Sequence, residues 1–165
     1  MATVYYHTST AARPLSSSVR ARVKSSSIWW VYLSLAIALA GVVIHVGAVF
    51  AGASWYAFFG APPRIVASAR AGTWLAPVSA LVIAGLMAVC AVYAASVFGL
   101  VPRPPLQRWA LGTISALCLL RALVLIPLAF AHPELRNLFE IVSAIVWFVA
   151  GVGFAVGFHL LRFGP

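Results

Sequence analysis

Four long apolar runs, at residues 28–50, 74–100, 109–130 and 138–159, leave the chain few ways to fold. Each is near the ~20 residues that cross ~30 Å of hydrocarbon as a helix. In lipid every backbone N–H and C=O must be satisfied within the structure, which restricts spanning segments to helices and closed barrels. None of the four runs alternates between polar and apolar residues as a barrel strand does. The sequence therefore predicts an all-α integral membrane protein, a four-helix up-down transmembrane bundle. Composition agrees: 64% of the residues are hydrophobic and 8% charged, against about 45–50% and 25% in soluble domains.

The chain divides into residues 1–27, polar, Ser-rich and free of acids, and a four-span domain over 28–165. The first segment has the bias of an organelle transit peptide and equally that of a disordered basic cytoplasmic tail, the reading preferred here. Eleven Lys and Arg against two acids give a net charge of +9. Most of the basic residues flank spans, and no basic stripe interleaved with aromatics appears, so the expected partners are membrane lipids and not nucleic acid. Seven basic residues lie on the side of the two termini and the 101–108 loop, and three (Arg64, Arg70, Arg136) on the other. The positive-inside rule then puts both termini of a multi-pass protein in the cytoplasm. Trp29, Trp30, Trp55, Trp74 and Trp109 fall near span ends, where aromatic belts form.

One charge sits well inside a span. Arg121 lies nine residues before Phe130, or ~13 Å from the outer end of the third run. A mid-span arginine costs ~2.5–3.5 kcal/mol and each Leu, Ile, Val or Phe returns ~0.3–0.6. The run holds eleven of these, so it inserts despite the charge. Two readings stay open. The side chain can snorkel to the outer headgroups, or it can pair inside the bundle. Glu140, entering with the fourth span, is the obvious carboxylate. Pro127 should also free the carbonyl of Leu123 as a second acceptor. His45 lies on a face with Ser34, Ala38, Gly41, Ala48 and Gly52, a small-residue stripe of the kind that marks a helix–helix contact. It is either a packing residue or the third member of an outer-leaflet polar cluster.

The loop between the first two spans, AGASWYAFFGAPPRIVASARAGT, is long and aromatic. Loops of that length are usually functional or carry structure of their own. Pro63 suits the first turn of a short surface helix with Arg64 and Ser68 on its wet face. Trp55 and Tyr56 would then overhang the cluster, and His45, Arg121, Glu140, Trp55 and Tyr56 form the candidate site. Two further patterns carry less chemistry. Ala80, Ala84, Ala88, Ala91 and Ala95, with Gly153 and Gly157, suit either packing within one bundle or a homo-oligomer. Cys90 and Cys118 lack metal-ligand spacing and read as small hydrophobes. His45 and His159, at different depths, do not suit haem, and with no Asp in the chain no Ser–His–Asp set can form. The cofactor is open.

At FFGAPPRIV the chain resembles the DoxX-like group of small bacterial inner-membrane proteins, four-helix chains of which many carry an aromatic–Gly–x–Pro turn after the first span. The resemblance covers residues 58–63 and the four-span layout, and it implies architecture. Members tend to carry an acid followed by glycines in the second span; here that span has Gly85 and no acid. The residues themselves suggest a non-catalytic membrane protein that binds a lipid-soluble ligand or a membrane partner at the polar cluster. The alternative is a small proton-coupled transporter or membrane-embedded oxidoreductase component using His45 and Glu140.

Overall fold

A computed structural model describes residues 17–133 and 136–163, and the side chains of residues 27–133 and 136–161. Six helices follow in order: α1 Ser17–Ala51, α2 Ala53–Phe58, α3 Pro63–Arg70, α4 Leu75–Val97, α5 Gln107–Ala131 and α6 Leu138–Phe163. Four of them contain spans long and apolar enough to cross a membrane: Ser27–Ala51, Leu75–Val97, Gln107–Ala131 and Leu138–Leu161. At 1.5 Å per residue each is about 35 Å long, enough for the hydrocarbon core with a little to spare. The protein is thus an all-α, four-helix membrane protein.

The structure departs from expectation at two boundaries and at one buried side chain. Residues 1–16 of the predicted tail lie outside the described residues, but from Ser17 the chain is already helical, with no Pro or Gly to interrupt it before Gly41. The second span stops at Val97 instead of Leu100, because Gly99 takes φ 71° and the Leu100 N–H turns back to the Ala95 carbonyl. Ser68, expected on the wet face of the short helix, is buried. Its hydroxyl accepts the N–H of Ala76 at 3.1 Å and lies 2.6 Å from the Thr73 hydroxyl. That serine fastens α3 to the first turn of α4, satisfying an N–H that α4 cannot bond itself.

The four spans are arranged α4–α1–α6–α5: α1 packs along α4 and α6, and α6 along α5, while α4 and α5 meet only sparsely. Two cores result. At the end holding both termini, all four helices converge on Val31, Ala94, Leu111, Cys118, Ala150 and Phe154. At the far end a second core of Ala48, Tyr56, Ala76 and Ala80 joins only α1, α2 and α4, with α3 residues packed on it. There α6 contributes nothing: no residue from Leu138 to position 149 is buried.

The termini end is held through the backbone of α6. The Ser34 hydroxyl of α1 donates to the Ala150 carbonyl at 3.0 Å, and Ser115 of α5 donates to the Gly151 carbonyl at 2.8 Å. Such bonds are worth ~0.6 kcal/mol on average in a membrane and up to ~1.7. They require close approach. A Cβ on Gly153 would fall on the Ser34 hydroxyl and the Trp30 carbonyl. The GxxxG of Gly153 and Gly157 is therefore used inside the bundle, against α1, Leu111 and Val97.

Candidate functional site

The register of α5 and α6 locates Arg121. Ser115 is level with Gly151, and Gly112 packs on Phe158. Extending that antiparallel register puts the backbone of Glu140 ~10 Å nearer the far end than that of Arg121. The two side chains nevertheless meet, Nη2 to Oε2, at 3.5 Å. The guanidinium must therefore run along the helix towards the far end before it pairs. Of the two readings of Arg121, pairing within the bundle is the one the structure contains. The contact is looser than the ~2.7–2.9 Å of a charge-assisted hydrogen bond, and the side chains remain 44% and 21% exposed.

Helical phase sets the direction Arg121 faces. The buried stripe of α5 is Leu111, Ser115, Cys118, Ala122 and Leu125, and Leu119 flanks it on the side of Gly151. Arg121 is two residues on, ~200° round the helix from Leu119, so it leaves α5 on the flank of the stripe opposite Leu119, and its side chain reaches Glu140 of α6 from there. Glu140 is held by its helix. It stands in the first turn of α6, where a carboxylate suits the positive end of the helix dipole, and its backbone N–H donates to Asn137 Oδ1 at 3.0 Å. Pro127 sits within a continuous α5, and among the described residues the guanidinium donates no hydrogen bond to the Leu123 carbonyl.

His45 reaches the right depth but not the pair. From the Ser34–Ala150 contact it is eleven residues along α1, and Glu140 is ten residues back along α6, so the two stand level. Its Nδ1 donates to the Gly41 carbonyl of its own helix at 2.8 Å. That bond keeps the ring against α1, and among the described residues His45 makes no hydrogen bond or ion pair with Arg121 or Glu140. A cluster of three reduces to a pair plus one neighbouring imidazole.

The aromatic residues of the loop also separate. Trp55 is folded back on α1, its indole N–H donating to the Ile44 carbonyl at 3.2 Å and its ring tilted against Phe59. Tyr56 is buried in the far-end core, its hydroxyl without a described partner. Burial raises its phenol above the ordinary 10.0. Neither residue touches the ion pair through a hydrogen bond. What sequence reasoning missed is the contact of Gly60, at φ 69°, with Phe139: a Cβ there would stand 2.7 Å from the ring. Only a residue free to adopt positive φ and without a side chain suits that position. Through it the α2–α3 segment bridges from the α1/α4 side to the first turn of α6, one residue from Glu140. The Phe-Phe-Gly turn carried that signal, a glycine between aromatics and prolines.

No group of three or more potential metal ligands occurs among the described residues. A shallow groove of about 300 Å³ lies on the other face of α6, lined by Leu119, Val152, Ala155 and Val156 with Ser27 and His159 at its edge. It does not include the pair. The chemistry available at the pair is ionic: a cation and an anion side by side, partly open, on an apolar flank. No family model matches the chain, and no curated protein and no solved structure matches it, so the site rests on its own geometry.

Proposed function

We propose that this is a non-catalytic protein of a bacterial inner membrane, with both termini cytoplasmic, that binds a lipid-soluble ligand at Arg121 and Glu140 in the outer leaflet. The observation that carries this reading is the pair itself: a guanidinium and a carboxylate 3.5 Å apart and partly exposed, beside a half of α6 that buries no residue. A packing role would favour tight geometry and burial, because a charge in hydrocarbon is costly unless satisfied. A site that receives a ligand keeps hydrogen-bonding capacity in reserve.

A second reading, proton handling in a transporter or an oxidoreductase component, is favoured by one observation. The imidazole of His45 stands level with Glu140, its Nδ1 held by the Gly41 carbonyl. The two readings separate on a purified sample, through its absorption spectrum and the lipids extracted from it. A stoichiometric phospholipid or other apolar ligand, lost on Arg121→Gln, is the expected result. A bound chromophore or quinone overturns it in favour of the second reading. A reporter fused after Pro165 should behave as cytoplasmic and one inserted near Arg70 as external; the reverse pattern moves the pair to the inner leaflet.

A further inference from the structure

Arg121 and Glu140 are under-satisfied in opposite senses. A guanidinium carries five N–H donors, and Arg121 meets its partner through Nη2 alone. The carboxylate likewise receives only that contact among the described residues, since Asn137 bonds the backbone of Glu140 and not its side chain. The spare donors and spare acceptors are therefore adjacent. A purely anionic ligand would satisfy the first and set a like charge against the second. A purely cationic one would do the reverse.

The surroundings limit how an occupant arrives. The α2–α3 segment reaches α6 at Gly60 and Phe139, beside Glu140. The first half of α6 buries no residue, and exposed apolar side chains flank the pair, among them Leu117 and Val124 on the Arg121 face of α5 and Ile141 beside Glu140 on α6. An occupant with an apolar body can come in sideways from the bilayer and leave its polar head at the level of the pair.

We infer that the ligand is a zwitterionic aminolipid, its oxyanion on Arg121 and its primary ammonium on Glu140. The assignment rests on the ligand-binding role proposed above and adds the headgroup to it. A primary ammonium offers three N–H donors to a carboxylate, where a trimethylammonium offers none. A phosphoglycerol head has no cation and leaves Glu140 opposed to a phosphate. The site thus ranks phosphatidylethanolamine above both phosphatidylcholine and phosphatidylglycerol of the same acyl chains.

The test is to reconstitute the full chain in nanodiscs of those three lipids in equal parts, extract it gently, and count each lipid retained per chain by native mass spectrometry. Phosphatidylethanolamine should be enriched on the order of tenfold over each competitor, the effect of one charge-assisted hydrogen bond. Glu140→Gln should abolish its advantage over phosphatidylglycerol while lipid is still retained, Glu140→Asp should keep part of it, and Arg121→Gln should lose the bound lipid. Equal retention of phosphatidylethanolamine and phosphatidylglycerol by the unmodified protein overturns the headgroup assignment, and loss of lipid in Arg121→Gln would then leave the binding role standing. No retained lipid, or retention indifferent to both substitutions, overturns the assignment and the binding role together. The unmodified protein alone gives the headgroup ranking, so a variant that does not fold leaves the inference open to refutation.

Discussion

The two halves of α6 show what close packing and its absence each permit. From Ala150 onward the helix presents Gly151, Gly153 and Gly157 to its neighbours, all buried, and two serines bond its carbonyls. Before position 150 no residue is buried; Trp147 packs at the edge of the termini-end core, and nearer the start of the helix a 3.5 Å ion pair and the contact of Phe139 with Gly60 join it to its neighbours. Helices that approach through glycine gain dispersion contacts and leave no room for water or a guest. The half without them can accommodate charges, because loosely packed helices let headgroups and water reach the ions. One helix thus serves as a structural spine at one end and one wall of a candidate site at the other.

The sharpest way to break that comparison is Gly153→Ala. The added methyl falls on the Ser34 hydroxyl and the Trp30 carbonyl, neither of which is a flexible side-chain tip. A loss of about 3 kcal/mol is expected, the upper part of the range for overpacking. Gly157→Ala, whose nearest contacts are at 3.4 Å or beyond, should cost less than about 1 kcal/mol. Thermal unfolding in detergent measures both, and equal costs would mean that α6 is not pinned at Ser34.

The next effect lies at the other end. Glu140→Gln is expected to cost about 1–2 kcal/mol, between the ~0–1 of a solvated pair and the ~3–5 of a buried one, as partial exposure of both side chains demands. Adding Arg121→Leu should recover most of that loss, because the second change removes the charge left unpaired. Independent, additive losses in the double mutant would show that the two residues are neighbours without coupling.

The smallest effect concerns Tyr56, whose hydroxyl is buried in the far-end core without a described partner. Tyr56→Phe should change stability by less than about 0.5 kcal/mol near neutral pH, or raise it, since no hydrogen bond is lost. Burial raises the phenol above 10.0, so the folded state resists its ionisation. The associated stability is fully present below the unfolded pKa and is lost as pH rises through the folded one. Melting curves at about pH 8 and about pH 11 should therefore show a smaller alkaline loss in Tyr56→Phe than in the unmodified protein. An identical alkaline loss would place that sensitivity elsewhere.

Much of this was legible before any coordinates. Hydropathy set the four spans because hydrocarbon tolerates so few backbone conformations. Opposite charges on the third and fourth spans pointed to one another because an unpaired charge there is so unfavourable. The rest depended on rotations that sequence does not carry. His45 had the right depth and face, yet a carbonyl of its own helix captured its Nδ1. Ser68 looked like a surface residue of a polar stretch, and only the fold of α3 against α4 shows the N–H it satisfies. Ser115 drew no attention in an apolar run, although a lone hydroxyl in such a run needs an acceptor, and the Gly151 carbonyl is what it found.

The placement of Arg121 has a consequence for how the chain is made. Its only described ionic partner is on the next helix, fewer than twenty positions later in the sequence. Until the ribosome has produced Glu140, the third span faces the translocon without that partner for its guanidinium. The last two spans are therefore best suited to leave the insertion machinery together as a hairpin, with the fourth supplying the counter-charge. A chain truncated within that turn would strand the arginine, and membrane quality control would meet a span that is long enough to stay but incompletely neutralised.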